Sequence, residues 1–438
     1  MNHFKSALST VLCSMAVCLW STVASAEGFR HLSAQWMNNY GKMRTVLSTW
    51  ADGNRYAALN GEGAGVAYIS SSTGNTEGTE PVRGLEAKSL SVTGLSEGDA
   101  VVFTWPDLTL APGASVDFMM NAKPIGTREA DKWLFEYYDE GVWKAAGSFT
   151  IQHFESYQHT TFSSTVTLSG AIENGDLKLR IRPSGHCDGV GMAFINSTRI
   201  ACQIDVFEGV DVKDVTKMLV LGNSFTHYFS TDFMLKEIAH SQGHILDMHT
   251  NLKGGQSFGQ HCGLARSLAA IGEGGYDIAI LQDQSVRHAK YYSDPVANEV
   301  VLTDTEDLVS RVRRYSPGVK IVIENTWSYA KPENTYMGYG SYERFDAALT
   351  GGAKEICRKT GAVMSPIASA FEKARGEGMD LYSKDDHHPN LNGSYLKSCV
   401  NYLLLFGKPF DANVPDCKVE PGTAAKLRKI AESVVLSK

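Results

Sequence analysis

"VLGNSFTHYF", residues 220–229, decides the fold. The apolar run 218–221 stops at Gly222, and two polar residues, Asn223 and Ser224, follow before helix-compatible sequence resumes. A short run rich in Leu and Val that ends at glycine reads as a buried strand meeting a sharp turn. Runs of the same kind follow downstream: "HILDMHT", "YDIAILQ", "VKIVIEN" and "GAVMSP". Helical stretches at 230–242, 262–272, 298–315 and 343–359 lie between them, and 391–406 and 424–436 close the chain as helices. Strands alternating with helices imply a parallel sheet covered on both faces. Active sites of such sheets lie outside the carboxyl ends of the strands, which puts Ser224 on the functional rim.

Upstream the period changes. Between residues 27 and 209 the chain carries alternating or aromatic runs at 65–70, 100–105, 115–120 and 176–182. "WLFEYYDEGVW" reads as a hairpin about Asp139, Glu140 and Gly141, and "FSSTVTLSG" carries β-branched residues at strand spacing. One short helix is expected near residues 29–40. Short strands between glycine-rich turns point to an all-β sandwich over 27–209, followed by an α/β domain over 210–438. Trp105, Trp133, Tyr137, Tyr138 and Trp143 read first as sandwich core and second as a sugar platform.

The 438 residues are 43% hydrophobic and 20% charged, enough for sizeable cores in more than one domain. A net charge of −7 with no basic segment argues against nucleic acid as a partner. Lys5, the mostly apolar stretch 8–20 and the small-residue site Ala24-Ser25-Ala26 read as an export signal spanning residues 1–26 and cleaved after Ala26. The expectation is a secreted or periplasmic protein with no stable membrane insertion once the signal is removed. The remaining Cys187, Cys202, Cys262, Cys357, Cys399 and Cys417 permit three disulfides, with Cys187–Cys202 and Cys399–Cys417 the most local pairs. Their spacing matches no common zinc site, so no metal is assigned. The sequence leaves the oligomeric state open.

A second motif gives Ser224 its meaning. "DDHHPNLNGSYL", residues 385–396, places Asp385 and His388 three apart in a polar loop before a helix. One loop can then present both to a serine elsewhere, with the imidazole accepting the hydroxyl proton and the carboxylate orienting the imidazole. The plain alternative is a solvated turn with a helix cap at Asn390.

Together the two ends resemble the SGNH, or GDSL-type, hydrolase superfamily. "GNSF" is similar to its first block, with Asn223 where Asp is commoner, and Asp385, His388 and Pro389 match its last. "NLKGGQSFGQH" resembles the second block, and "LQDQS" stands where a Gly-x-Asn-Asp block is usual. Thr326-Trp327 after the fourth strand fits a secreted bacterial branch with the same GNSF block. The resemblance implies a flavodoxin-like α/β/α sandwich with Ser224, His388 and Asp385 as catalytic triad. The oxyanion hole would be built from Ser224, Gly255 and Gln284. It implies no cofactor. Trp327 and His261 are the expected substrate contacts, His227 is expected as a partly exposed helix-start residue, and Asp386 and His387 as solvated loop residues. The β-rich half resembles jelly-roll modules attached to carbohydrate esterases. The implied activity is serine esterase chemistry on an acylated carbohydrate. Alternatives are a lipid or aryl esterase, and a glycan-binding protein on an inactive hydrolase scaffold.

Overall fold

The computed structural model describes residues 100–125, 130–149, 158–187, 190–194, 200–208, 215–331 and 338–437, with short stretches between 30 and 97. The expected export signal lies outside the described residues.

Five parallel strands form the α/β half: β1 (Thr216–Gly222), β2 (Leu246–Lys253), β3 (Ile278–Leu281), β4 (Lys320–Glu324) and β5 (Val363–Ser365). Their spatial order is β2-β1-β3-β4-β5, the flavodoxin-like order, which reverses direction between β1 and β3. Helices α1 (Ser224–His227), α2 (Thr231–Ser241), α3 (Phe258–His261), α4 (Ala265–Glu273) and α5 (Arg287–Ser293) follow in the first half. Next come α6 (Pro295–Tyr315), α7 (Tyr342–Thr360), α8 (Ile367–Gly376), α9 (Leu391–Phe406) and α10 (Pro421–Val435).

Strand alternation sorts the apolar residues into two cores. Met218 and Val220 face a cluster built with Phe233, Phe371, Leu396 and Leu427 of α2, α8, α9 and α10. Leu219 and Leu221 face another, built with Ile271, Leu308 and Ile356 of α4, α6 and α7. The sheet is thus covered on both sides, as its continuous apolar strands require.

The β-rich half is a sandwich whose strand pairings are antiparallel. One sheet contains Val101–Leu110, Lys132–Asp139, Val142–Phe149 and Ile172–Ser184. The hairpin at Asp139 turns through Glu140 (φ 50) and Gly141 (φ 81), the left-handed pair that matches strand twist. Trp105, Phe118, Trp133, Leu179 and Ile204 fill the core between the sheets.

The second sandwich sheet does not end at the expected domain boundary. Strand Gln158–Thr167 pairs antiparallel with β2, Gln158 opposite Lys253 and Thr161 opposite Thr250, and on its other side with Ser115–Ile125. One 12-stranded sheet therefore runs through both halves. A buried polar seam lines the junction. Lys236 Nζ lies 2.8 Å from Asp117, and His240 Nδ1 lies 2.6 Å from Asp205, all four side chains fully buried. Thr161 donates to Asp232 at 3.2 Å and Arg266 to Thr160 at 3.0 Å. Burial pushes the Asp117 carboxyl up, against the pull of Lys236.

Several expectations need correction. Residues 30–36 form a strand, paired with Ile200–Phe207, where a helix was expected; pairing across the chain overrides the local pattern. The two local disulfides are not formed, since Cys187, Cys262, Cys357, Cys399 and Cys417 are all free. Cys187 packs in the sandwich core, and Cys399 and Cys417 in the core below the parallel sheet. The core reading of the aromatics holds for Trp105, Trp133 and Tyr137, which are buried, while half-buried Tyr138 and Trp143 meet edge-on at 5.3 Å. Helices α5 and α8 were not expected.

The seam yields a stability prediction. Lys236→Ala strands the Asp117 carboxylate beside Asp205 in the dry junction and is expected to cost about 3–5 kcal/mol in denaturant unfolding. The paired change Asp117→Asn with Lys236→Met should recover most of that loss; recovery of nothing would show that the ion pair is not the determinant.

Candidate functional site

The switch point between β1 and β3 gathers every block singled out in the sequence. Gly222 ends β1 where a Cβ would stand 3.0 Å from Thr226 Oγ1 and 3.1 Å from Gln282 Oε1, a close approach that favours glycine. Asn223 then organises the rim. Its Oδ1 accepts the Phe225 N–H at 3.1 Å, and its Nδ2 donates to the Gln256 carbonyl at 2.8 Å and the Asp283 carbonyl at 3.1 Å. Its backbone N–H donates to Gln282 Oε1 at 3.1 Å. The loops after β1, β2 and β3 are tied through this one amide. An aspartate lacks the two donors, which gives a physical reason for Asn at a position where Asp is commoner in the resembling family.

Ser224 opens α1, where first-turn N–H groups have no intrahelical acceptor. Its Oγ lies 2.8 Å from His388 Nε2, and His388 Nδ1 lies 2.6 Å from Asp385 Oδ2. Asp385 Oδ1 accepts the backbone N–H of His388 at 2.9 Å and of His387 at 3.2 Å. Burial works against ionisation of Asp385, but these bonds outweigh it and hold the carboxyl well below the usual carboxylate range. The imidazole is thereby fixed as the tautomer with a proton on Nδ1 and a lone pair toward the serine. Tyr228 stacks on the His388 ring at 4.2 Å, and Phe225 meets it edge-on at 5.4 Å. Pro389 bridges to Tyr382, and Ser383 donates its N–H to the His388 carbonyl at 2.8 Å, closing the loop that carries both residues.

A cavity of 530 Å³ opens over this line of three. Gly255 and Gln284 line it beside Ser224, Gly255 with φ 72 and clear space around it. The Gln284 amide nitrogen lies 3.5 Å from Ser285 Oγ. Tyr329, Lys331, Asp386 and His387 complete the mouth, with Lys331 paired to Asp386 at 2.9 Å. Asp386 and His387, expected as solvated loop residues, are partly exposed in that loop and also line the cavity.

Two expected substrate contacts lie behind the site. Trp327 is buried, stacked between Phe225 at 4.6 Å and Phe371 at 4.1 Å, with its indole N–H donated to the His387 carbonyl at 3.1 Å. His261 is fully buried between Ser267 Oγ at 2.7 Å and the Gly222 carbonyl at 3.1 Å. Burial lowers its pKa to about 4, so it is a neutral brace for the β1 turn. His227, expected as a partly exposed helix-start residue, is buried. Asp283 turns inward, accepting from Phe258 N–H at 2.9 Å and Gln284 N–H at 2.8 Å, and burial raises it to about 6.

Sequence reasoning missed the support underneath. Lys397 of α9, fully buried, pairs with Glu324 at the end of β4 at 2.6 Å. It also donates to the Phe225 carbonyl at 3.0 Å and Thr226 Oγ1 at 2.7 Å, clamping the serine turn. Asn401 donates to the second Glu324 oxygen at 2.7 Å. The signal was a lysine in the largely apolar "YLKSCVNYL" and a glutamate ending an apolar strand.

No family model matches the chain, and no curated protein does. Among solved structures it is similar to a DUF4886 family protein from Bacteroides uniformis, at 19% identity and TM-score 0.42, over 51% of this chain and 95% of that one. It is also similar to an acetyl xylan esterase from Butyrivibrio proteoclasticus, at 10% identity and TM-score 0.31, over 76% and 94%. A catalytic mutant of an acetylxylan esterase from Geobacillus stearothermophilus aligns at 12% identity and TM-score 0.32, over 43% and 93%. The chain's own strand order and the serine–histidine–carboxylate line at the switch point define the second half as a flavodoxin-like α/β/α domain with a candidate hydrolytic site.

The Asn223 hub gives a test. Asn223→Asp removes two buried donors and sets a carboxylate against two carbonyl oxygens, at about 1–3 kcal/mol for each partner left unsatisfied. Thermal and denaturant unfolding should register a loss in that range; an unchanged midpoint would show that the amide does not tie the loops.

Proposed function

We propose that the protein is a serine esterase in which Ser224 attacks an ester carbonyl while His388 accepts its proton. The observation that carries the reading is the 2.8 Å and 2.6 Å hydrogen-bonded line from Ser224 through His388 to Asp385 at the floor of an open cavity. Asp385 holds the imidazole tautomer and stabilises the imidazolium that forms. The N–H groups of Ser224 and Gly255, with the Gln284 amide, meet the oxyanion of the tetrahedral intermediate, each worth about 3–4 kcal/mol in the transition state. His388 then protonates the leaving alcohol and activates water to release the acid.

The substrate we propose is an O-acetylated polysaccharide or oligosaccharide met outside the cytoplasm. Two features support it: a mouth that pairs aromatic Tyr329 and His387 with the polar Lys331–Asp386 pair, as suits a sugar, and the export-signal pattern of residues 1–26.

Hydrolysis of p-nitrophenyl acetate by the purified chain should fall to background in Ser224→Ala. Asp385→Asn should lower kcat by about 10⁴-fold while circular dichroism stays unchanged, because the imidazole loses its tautomer. The Asp385 carboxyl is held well below the usual carboxylate range and stays ionised through mildly acidic pH, so kcat/KM should show no loss from its protonation there. Equal rates in wild type and Ser224→Ala would remove the enzyme reading. Acetate release from acetylated glycans against aryl and long-chain esters ranks the substrates; a preference for long acyl chains would overturn the glycan assignment.

A further inference from the structure

We propose that Asp385, His387 and His388 form a binding site for a transition-metal dication of the Zn²⁺ class, and that filling it switches off the esterase proposed above. The inhibitory half rests on that reading of the site; the binding half does not.

The donor set is the starting point. His387 Nδ1 lies 3.5 Å from Asp385 Oδ1, and His388 Nδ1 lies 2.6 Å from Asp385 Oδ2. One potential ligand atom from each of the three residues falls within 4.8 Å of the others. Two imidazoles and a carboxylate are a set that zinc takes, at about 2.0–2.2 Å per bond, leaving a fourth position for water. All three residues line the cavity, so ion and water have a path to them. The second histidine has no part in the proton transfer, yet it brings a second nitrogen to the same carboxylate. The other comparable group among the described residues, Asp117 with Asp205 and His240, is fully buried and already holds the Lys236 ammonium at 2.8 Å from Asp117.

The consequence for His388 follows from proton placement. In the metal-free site its proton sits on Nδ1, donated to Asp385, and Nε2 is free to accept from Ser224. A cation on Nδ1 requires that nitrogen's lone pair, so the proton moves to Nε2 and the ring stays neutral. Nε2 then donates toward Ser224 Oγ and cannot take its proton. His387 makes the same shift, giving up the bond from its Nδ1 to the Asp385 carbonyl at 2.9 Å. No proton leaves the protein and no redox change occurs; only the tautomers and the Asp385 bonding change. Mg²⁺ and Ca²⁺ favour oxygen ligands, and this site offers a single carboxylate, so neither should compete.

The test titrates ZnCl₂ into the full chain in chelator-free buffer by calorimetry, alongside p-nitrophenyl acetate turnover. Wild type and Ser224→Ala should each bind one Zn²⁺ at the site. His387→Ala should weaken binding by at least about 100-fold. Turnover of the wild type should fall in proportion to occupancy, return on adding EDTA, and ignore Mg²⁺. The inhibition curve of His387→Ala, scaled to its own basal rate, should move to higher Zn²⁺ by the same factor as binding. Absence of Zn²⁺ binding in the wild type, or binding and inhibition untouched by His387→Ala, would overturn the proposal. Binding that depends on His387 in a wild type without turnover would uphold the metal site and defeat the esterase reading instead.

Discussion

The side-chain amide of Asn223 is the point on which the rim depends. Parallel strands deliver their loops to one edge but do not fix those loops relative to one another. Here one buried amide donates to the carbonyls of Gln256 and Asp283 and accepts from Phe225. Ser224, Gly255 and Gln284 each sit next to or near one of those three anchors, so their separations are set by three hydrogen bonds to a single group. Preorganisation of this kind lets dipoles face a developing charge without rearranging during the reaction.

The same logic explains an expensive feature below the rim. Burying Lys397 with Glu324 takes two charges out of water, and a hydrophobic pair of equal volume is often as stable. The pair persists in a place where a hydrophobic pair cannot do its work. Lys397 carries donors that satisfy the Phe225 carbonyl and the Thr226 hydroxyl, buried acceptors on the one-turn helix that carries the serine. His261 and Trp327 belong to the same arrangement, the first holding the Gly222 carbonyl and the second the His387 carbonyl. Carbonyls of the two loops that meet at the serine–histidine contact are thus gripped from behind by buried side chains.

Legibility in the sequence followed the range of the interaction. The parallel strands, the main helices and the Asp139 hairpin were readable because period and turn chemistry are local. Ser224, Asp385 and His388 were readable because each sits in a short block at a strand or helix end. His261 and Trp327 were misplaced for a reason that is equally physical. A block fixes which loop a residue occupies, whereas the face its side chain takes depends on what packs behind, and α8 and the Ser267 hydroxyl lie outside both blocks. Lys397 was invisible because its partner is 73 residues away at the end of another strand. The strand at Arg30–Trp36 was misread for the same reason, its partner being Ile200–Phe207.

The sandwich half is part of the same construction. A flavodoxin-like sheet leaves β2 as an edge with unpaired N–H and C=O groups, a liability that proteins cover or pair. Here Gln158–Thr167 pairs with the last residues of β2, Thr250 to Lys253, immediately before Gly254 and Gly255. The strand that ends in the proposed oxyanion loop is held on one side by β1 and on the other by the sandwich. The seam beneath it, Lys236 with Asp117 and His240 with Asp205, fixes α2, the helix that follows the serine turn, to the neighbouring sandwich strands Ser115–Ile125 and Ile200–Phe207. A module joined by a linker would transmit nothing to Ser224. A module that supplies the neighbouring strand and the partners of α2 helps set the positions of two of the three loops at the rim, so the β-rich half contributes to the geometry of the site although none of its described residues lines the cavity.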